Sequence, residues 1–404
     1  MADFTDESRD HFAALAMAHL AELGRGPAVY DAAEFTLELP DGWEINLTNI
    51  YRETYELPAD ARAERLTRFL SSLPTDDEPA STWEQVRPRL RPILRPVTYA
   101  IDQAPESRPL ARPAFPFLSE LVAVDKPDSR TIVANSHVAE WGVTPEQVFD
   151  AARENLAGLV RPHDSSGDAI LRYVDDGNAY FTSWPLAPGW LASFRARYGH
   201  RRPVAFMPDN DSLIVVPDAP QVLGRMYELA EEQYRTATRP LSPQGYTLDD
   251  TDAVVPFDLA GPHEQLPAAH RARCGLASAE YTTQTGWLNQ AVEDFLEYPG
   301  FDLEPAYAAE LKFTEGPDGP RTITIWCEGV EYLLPEAEYV AFGADDGAGG
   351  LRPLFEVPFD AVAALTGLTP VPGLDPPRYE ARSWPTPDLL TRLSQAATTV
   401  HARS

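Results

Sequence analysis

The chain has 404 residues, enough for two or three domains at roughly 100–200 residues each. A hydrophobic share of 44% and a charged share of 24% are those of a globular protein and exclude a wholly disordered or collagen-like chain. Sixty-two acidic against 33 basic residues leave a net charge of -29, which repels nucleic-acid phosphate and anionic lipid unless arginines gather locally.

The opening MADFTDESRD is acidic and lacks the basic start, apolar stretch and small-residue cleavage site of an export signal. No run approaches the roughly 18 apolar residues of a membrane span, so a cytoplasmic location without a membrane partner is expected. Cys274 and Cys327 are then expected as reduced thiols.

Residues 8–23 set Phe12, Leu15, Ala16, Leu20 and Leu23 at helical spacing, with Gly24 as a stop. The segment FTLELPDGWEINL alternates apolar and polar residues around Asp41-Gly42, the pattern of a tight hairpin. Residues 58–73 read as a helix with Leu66, Phe69, Leu70 and Leu73 inward, and 75–81 as a loop. From 118 to 238 one pattern recurs three times: two short strands, a turn and a helix. The first unit ends in a helix from Pro145, capped by Thr144 and Gln147. The second is AILRYVDDGNAYFTSW with a helix near 187–197, and the third is PVAFMPDNDSLIVV with a helix from Pro220. Residues 246–275 read as a proline-rich linker. Beyond it come a helix near 284–297, strands near 307–315, 321–327 and 331–342, a strand-to-helix step at 353–366 and a helix at 387–398.

The expected fold class is α+β: a mixed, mostly antiparallel sheet of ββα units with helices on one face, followed by a second, smaller α+β domain. The first domain spans 1–245, with a helix/hairpin/helix portion over 1–80 and the ββα units over 85–245; the second spans 276–404. Residues 1–245 hold 24 basic and 37 acidic residues, and 249–404 hold 9 and 25, so the shorter part carries more than half of the net charge.

The run Arg91-Pro92-Ile93-Leu94-Arg95, then LVAVDKPDSRTIVAN, Ala152-Arg153-Glu154-Asn155-Leu156, Asp176-Gly177 and VAFMPDNDSLIVV resembles the YtpQ-like family of uncharacterised bacterial proteins. The match is collinear over about residues 1–245. It implies that Pro92, Arg95, Asn155, Leu156, Asp176 and Asp211 stand on the family's positions. Trp184-Pro185 departs from the Ser-Arg-like pair expected there. The resemblance implies no activity and does not reach 249–404.

Phosphate-binding glycine loops, H-E-x-x-H, paired C-x-x-C and the EF-hand spacing are all missing from the sequence. Asp209-Asn210-Asp211 and Asp345-Asp346-Gly347 suggest calcium superficially, but turn chemistry explains them better. His270 and Cys274, four apart with His263 nearby, could begin a zinc site or activate a thiol. Three donors at irregular spacing fall short of a closed site, so a buried or incidental thiol is the expected reading. His163-Asp164-Ser165-Ser166 holds triad residue types without a nucleophile elbow and reads as a loop. Trp190, Phe194 and Tyr198 form a stripe at a spacing of four, expected in the core.

Two arginine-rich islands remain, one over 87–112 and one formed by Arg195, Arg197, Arg201 and Arg202. They suit an anion or an acidic partner, although pairing with the protein's own carboxylates is the expected use. The candidate binding residues are Arg95, Asn155, Asp176, Asp211, Arg195 and Arg197, with no catalytic residue, metal ligand or cofactor assigned. The expected function is a non-catalytic protein-interaction or regulatory module with another protein as partner and no nucleic acid. One alternative is a motif-less hydrolase or transferase acting on an anionic small molecule, with Arg95 binding and Asp176 or Asp211 as base. The other is an acidic decoy or immunity-type protein for a basic partner.

Overall fold

The computed structural model describes residues 6–32, 35–40, 44–47, 50–51, 54–55, 57–71, 82–103, 107–126, 130–160, 170–174, 180–199, 201–295, 298, 301, 303–317, 319–345 and 351–401. It is an α+β structure with several separate sheets. The chain forms two compact units, residues 1–90 with 123–131, and residues 91–122 with 132–404.

In the first unit, helices Asp6–Glu22 and Ala59–Ser71 share a core with the antiparallel strands Val29–Asp31, Thr36–Glu38 and Glu44–Asn46. The register Leu37↔Ile45 forms the expected hairpin, whose Asp41-Gly42 turn lies outside the described residues. Leu37 and Ile45 meet Phe12, Leu20, Leu66 and Leu70 in that core. Leu23, expected inward, is 39% exposed because the helix stops at Glu22.

The second unit is built on a five-stranded antiparallel sheet in the order Val254–Pro256, Pro240–Leu248, Pro203–Asp209, Ser212–Pro217, Leu171–Val174. Pleating sends alternate residues to opposite faces. Val204, Phe206, Ile214 and Val216 pack on Leu223, Met226, Tyr227 and Ala230 of helix Pro220–Thr236. Ala205, Met207, Leu213 and Val215 are equally buried on the other face. There the cover is two 3-10 turns, Phe181–Leu186 and Leu191–Phe194, so the sheet is covered on both faces and not on one.

Those turns correct the second ββα unit: among its described residues from 180 on, 3-10 turns stand in place of the second strand and the α-helix. Pro185 has no amide for a ladder, and Pro188 with Gly189 at φ 74° breaks a continuing helix. The aromatic side chains take over, with ring centroids 5.5 Å apart for Tyr173–Trp184 and Trp184–Trp190 and 5.1 Å for Trp190–Phe194. The first and third units keep their strand pairs, and Thr144 and Gln147 form the expected capping box.

Residues 246–275 are not a linker. They complete strand Pro240–Leu248, add strand Val254–Pro256 and begin helix Leu266–Phe295, which starts well before the expected 284. Ala269 and Ala272 of this helix pack with Leu223 and Tyr227, Tyr281 packs with Leu311 and Ala337, and Leu288 and Ala291 pack with Leu333 and Val371. One helix thus serves cores on both sides of the expected boundary. The C-terminal sheets are Lys312–Gly316, Gly319–Cys327, Tyr339–Asp345, Leu351–Pro358 and Tyr307–Ala308, Tyr332–Pro335, Arg378–Ala381.

Arg378 ties the long helix to the smaller of these sheets. It is 0% exposed, and its Nε donates to Gln284 Oε1 at 2.5 Å. Nη1 donates to the Ala309 and Leu333 carbonyls at 2.9 Å each, and Nη2 to Thr285 Oγ1 at 2.5 Å. Desolvation lowers its pKa to about 10, so the charge is kept by neutral acceptors instead of a carboxylate.

Candidate functional site

A cavity of about 240 Å³ lies within the second unit, lined among others by Tyr99, Ala100, Arg108, Arg112, Phe301 and Asp375. Strand Leu90–Pro96 delivers the chain into a turn over 97–103 that forms one wall. The long helix anchors that turn from beneath: Glu280 accepts the Thr98 amide at 3.2 Å and its hydroxyl at 2.7 Å. Glu280 is buried, and desolvation raises its pKa to about 7 against the pull of both Thr98 donors. Ala100, two residues on, sits in the left-handed region at φ 59°, a conformation costing a side-chain-bearing residue on the order of 1 kcal/mol. Strained backbone of this kind persists where surrounding contacts over-determine it.

Arg108 lies with its guanidinium 5.4 Å from the Phe301 ring centroid and 6.0 Å from that of Trp287. Its Nε donates to the Gln103 carbonyl at 3.0 Å, and it has no carboxylate partner among the described residues. Arg112 donates through Nε to Glu120 Oε2 at 2.8 Å and stacks 4.2 Å from the Phe149 centroid. Glu120 is 0% exposed and also receives Arg153, Nε to Oε1 at 2.9 Å and Nη2 to Oε2 at 2.6 Å. Two guanidiniums on one buried carboxylate leave a local charge of about one unit positive beside Arg108. Asp375, also on the lining, reaches solvent, yet desolvation by its surroundings raises its carboxyl pKa. The wall therefore offers one guanidinium without a described carboxylate partner, Arg108, beside Arg112 held by Glu120, and a carboxyl more easily protonated than usual. No histidine or cysteine stands among the described lining residues.

A second cavity of about 310 Å³ is lined by Pro185, Leu186, Pro188, Leu191, Arg153 and Asp252, among others. Its charged residues are committed elsewhere, Arg153 to Glu120 and Asp252 to Arg195 at 2.5 Å. The first cavity thus has the greater share of uncommitted polar chemistry.

The residues expected to bind are scattered. Arg95, half-buried, donates to the Leu94 carbonyl at 2.7 Å and lies 5.7 Å from the Tyr99 centroid; it is not among the cavity's described lining. Asn155 sits on helix Pro145–Ala157, half-buried, with its carbonyl accepting from Gly158. Asp211 is on the solvated turn after strand Pro203–Asp209 and pairs with Arg239 at 2.8 Å. Its amide bonds Asp209 Oδ1 at 2.8 Å, the expected turn chemistry. Arg195 pairs with Asp252, and Arg197 lies half-buried beside Tyr198 and Tyr173. Asp176 lies outside the described residues, as do His163, Asp164, Ser165, Ser166 and Asp346-Gly347. Trp190, Phe194 and Tyr198 are core residues, with the Tyr198 hydroxyl on the Val215 carbonyl at 3.0 Å.

Sequence reasoning missed Arg108 and Arg112 as site residues, although both fall in the first arginine island. Glu280 carried no local signal, since its partner Thr98 lies 182 residues away, and Asp375 reaches the cavity only through the fold. It also missed the third member of a cluster around His270 and Cys274. His270 Nε2 stands 2.5 Å from Glu338 Oε1, and Cys274 Sγ stands 3.8 Å from Glu338 Oε2. The parallel pairing Ile323↔Tyr339 brings Glu338 beside Thr322, whose amide donates to Oε2 at 2.8 Å.

No family model matches the chain, and neither the curated proteins nor the solved structures yield a match.

Proposed function

We propose that this chain is a non-catalytic regulatory or interaction module that takes a small anionic molecule in the Arg108–Asp375 cavity. The observation that carries this reading is Arg108, a cation without a described carboxylate partner, facing a cavity shared with Arg112 and Asp375. At about 240 Å³ the space is below the roughly 300–1,000 Å³ of drug-sized sites and suits a metabolite-sized carboxylate or phosphate. Asp375, with its raised carboxyl pKa, supports a ligand that also presents a hydrogen-bond acceptor. The resemblance to the YtpQ-like family remains the proposed framework for residues 1–245 and implies no activity. Thermal unfolding of the full chain tests the reading: citrate, succinate or inorganic phosphate raises the midpoint, and choline leaves it unchanged. Equal shifts with choline, or none with any anion, would overturn it.

The enzyme reading through Arg95 and Asp211 has little support, because these residues occupy separate elements and Asp211 is a paired turn residue. One observation favours a basic macromolecular partner as a second reading. Arg195, Arg202 and Arg239 are absorbed by Asp252, Asp218 and Asp211, while the chain as a whole keeps a charge of -29. Binding of a lysine-rich peptide that weakens steeply with added salt supports it, and salt-independent or absent binding removes it.

A further inference from the structure

His270 and Cys274 are one helical turn apart near the start of helix Leu266–Phe295, so both side chains leave the same face. Glu338, just before strand Tyr339–Asp345, closes the group. The donor atoms of the three residues all lie within 4.8 Å of one another. We propose that His270 Nε2, Cys274 Sγ and a Glu338 carboxylate oxygen form a three-ligand site for a zinc-class divalent cation.

The donor set is the borderline-soft mixture of nitrogen, sulfur and oxygen that such cations select. Tetrahedral coordination, with bonds of about 2.0–2.3 Å, separates ligand atoms by about 3.3–3.6 Å. Cys274 Sγ stands 3.8 Å from Glu338 Oε2 and His270 Nε2 2.5 Å from Oε1, so a small turn of the carboxylate, as the ion replaces the His270 hydrogen bond, brings one oxygen to this spacing from both. Glu338 is already oriented: the Thr322 amide holds Oε2 at 2.8 Å, and Thr322 Oγ1 accepts the Glu338 amide at 3.0 Å. Outer contacts of this kind orient ligands in metal sites generally. The nearby arginines do not oppose a cation with free charge. Arg271 pairs with Glu231 at 2.9 Å, Arg273 with Asp258 at 3.0 Å and Arg321 with Glu356 at 3.0 Å.

Cys274 is buried, while the His270 and Glu338 side chains are 30% and 33% exposed, so the group opens to solvent on the imidazole and carboxylate side. A fourth position there suits water or an exchangeable ligand. On binding, the Cys274 thiol gives up its proton to solvent and the thiolate bonds the ion; no redox change is involved. The ion links the long helix to the sheet of strands Gly319–Cys327 and Tyr339–Asp345.

The test is titration of the full chain with Co²⁺, read by absorption. One equivalent is taken up with a sulfur-to-cobalt charge-transfer band, and Zn²⁺ displaces it. Cys274→Ser abolishes the band and Cys327→Ser keeps it. Circular dichroism shows whether each variant is folded, and the wild-type titration stands even where a variant is not. A folded wild-type chain without the band, or a band that survives Cys274→Ser, overturns the site and leaves a metal-free hydrogen-bonded group.

Discussion

Glu280 and Thr98, 182 residues apart in sequence, are joined by two hydrogen bonds to one carboxylate oxygen. The pairing fixes the turn that walls the cavity, and it places an acid in a nearly dry position.

Stability should therefore depend on pH through Glu280. Burial holds its folded-state pKa at about 7, above the ordinary 4.5, so between these values the folded chain keeps a proton that the unfolded chain releases. This contribution is fully present below about pH 4.5 and is lost as pH rises through 7, by on the order of 3 kcal/mol. Glu280→Gln should flatten the loss, so that urea midpoints of variant and wild type converge or cross above pH 7. An unchanged pH profile in the variant contradicts the assignment.

Arg378→Met should cost about 3 kcal/mol, because it strips the Ala309 carbonyl and Gln284 Oε1 of their guanidinium donors in a dry core and leaves the Leu333 carbonyl and Thr285 Oγ1 with only their bonds to the Ala309 amide and the Tyr281 carbonyl. Equilibrium urea unfolding measures it. A loss below ~1 kcal/mol means the guanidinium network is not what binds the helix to the sheet.

Glu120→Gln should be more damaging than Arg153→Gln. The first leaves Arg112 and Arg153 facing each other without their buried counter-charge, a change worth about 3–5 kcal/mol, whereas the second leaves Glu120 paired with Arg112. Adding Arg112→Gln to Glu120→Gln should restore part of the loss, since it removes one stranded charge. A double-mutant cycle in which the effects simply add contradicts this account.

Much of this structure can be read locally. The Thr144–Gln147 box, the Asp209–Asp211 turn and the helix after Pro220 depend on residues a few positions apart. The long helix was harder to read because Gly275, Gly286 and a run of threonines at 282, 283 and 285 lower its intrinsic propensity. Its stability comes from packing on three cores, which no local pattern encodes. The 3-10 turns near Trp184 fail the same way, since Pro185 and the aromatic side chains favour face packing over a ladder. At the candidate site, arginine enrichment was visible, but Arg108 differs from Arg195 only in which acids the fold brings near. Asp252 reaches Arg195 from 57 residues away, a distance over which sequence carries no pairing signal.

The cavity's affinity for small anions is most directly measured by isothermal titration of the full chain with citrate, beside Arg108→Gln. Wild type should bind one equivalent, and Arg108→Gln should bind about 10-fold or more weakly while its unfolding midpoint stays within ~0.5 kcal/mol of wild type. Equal binding by both proteins, or none by wild type, would contradict the account.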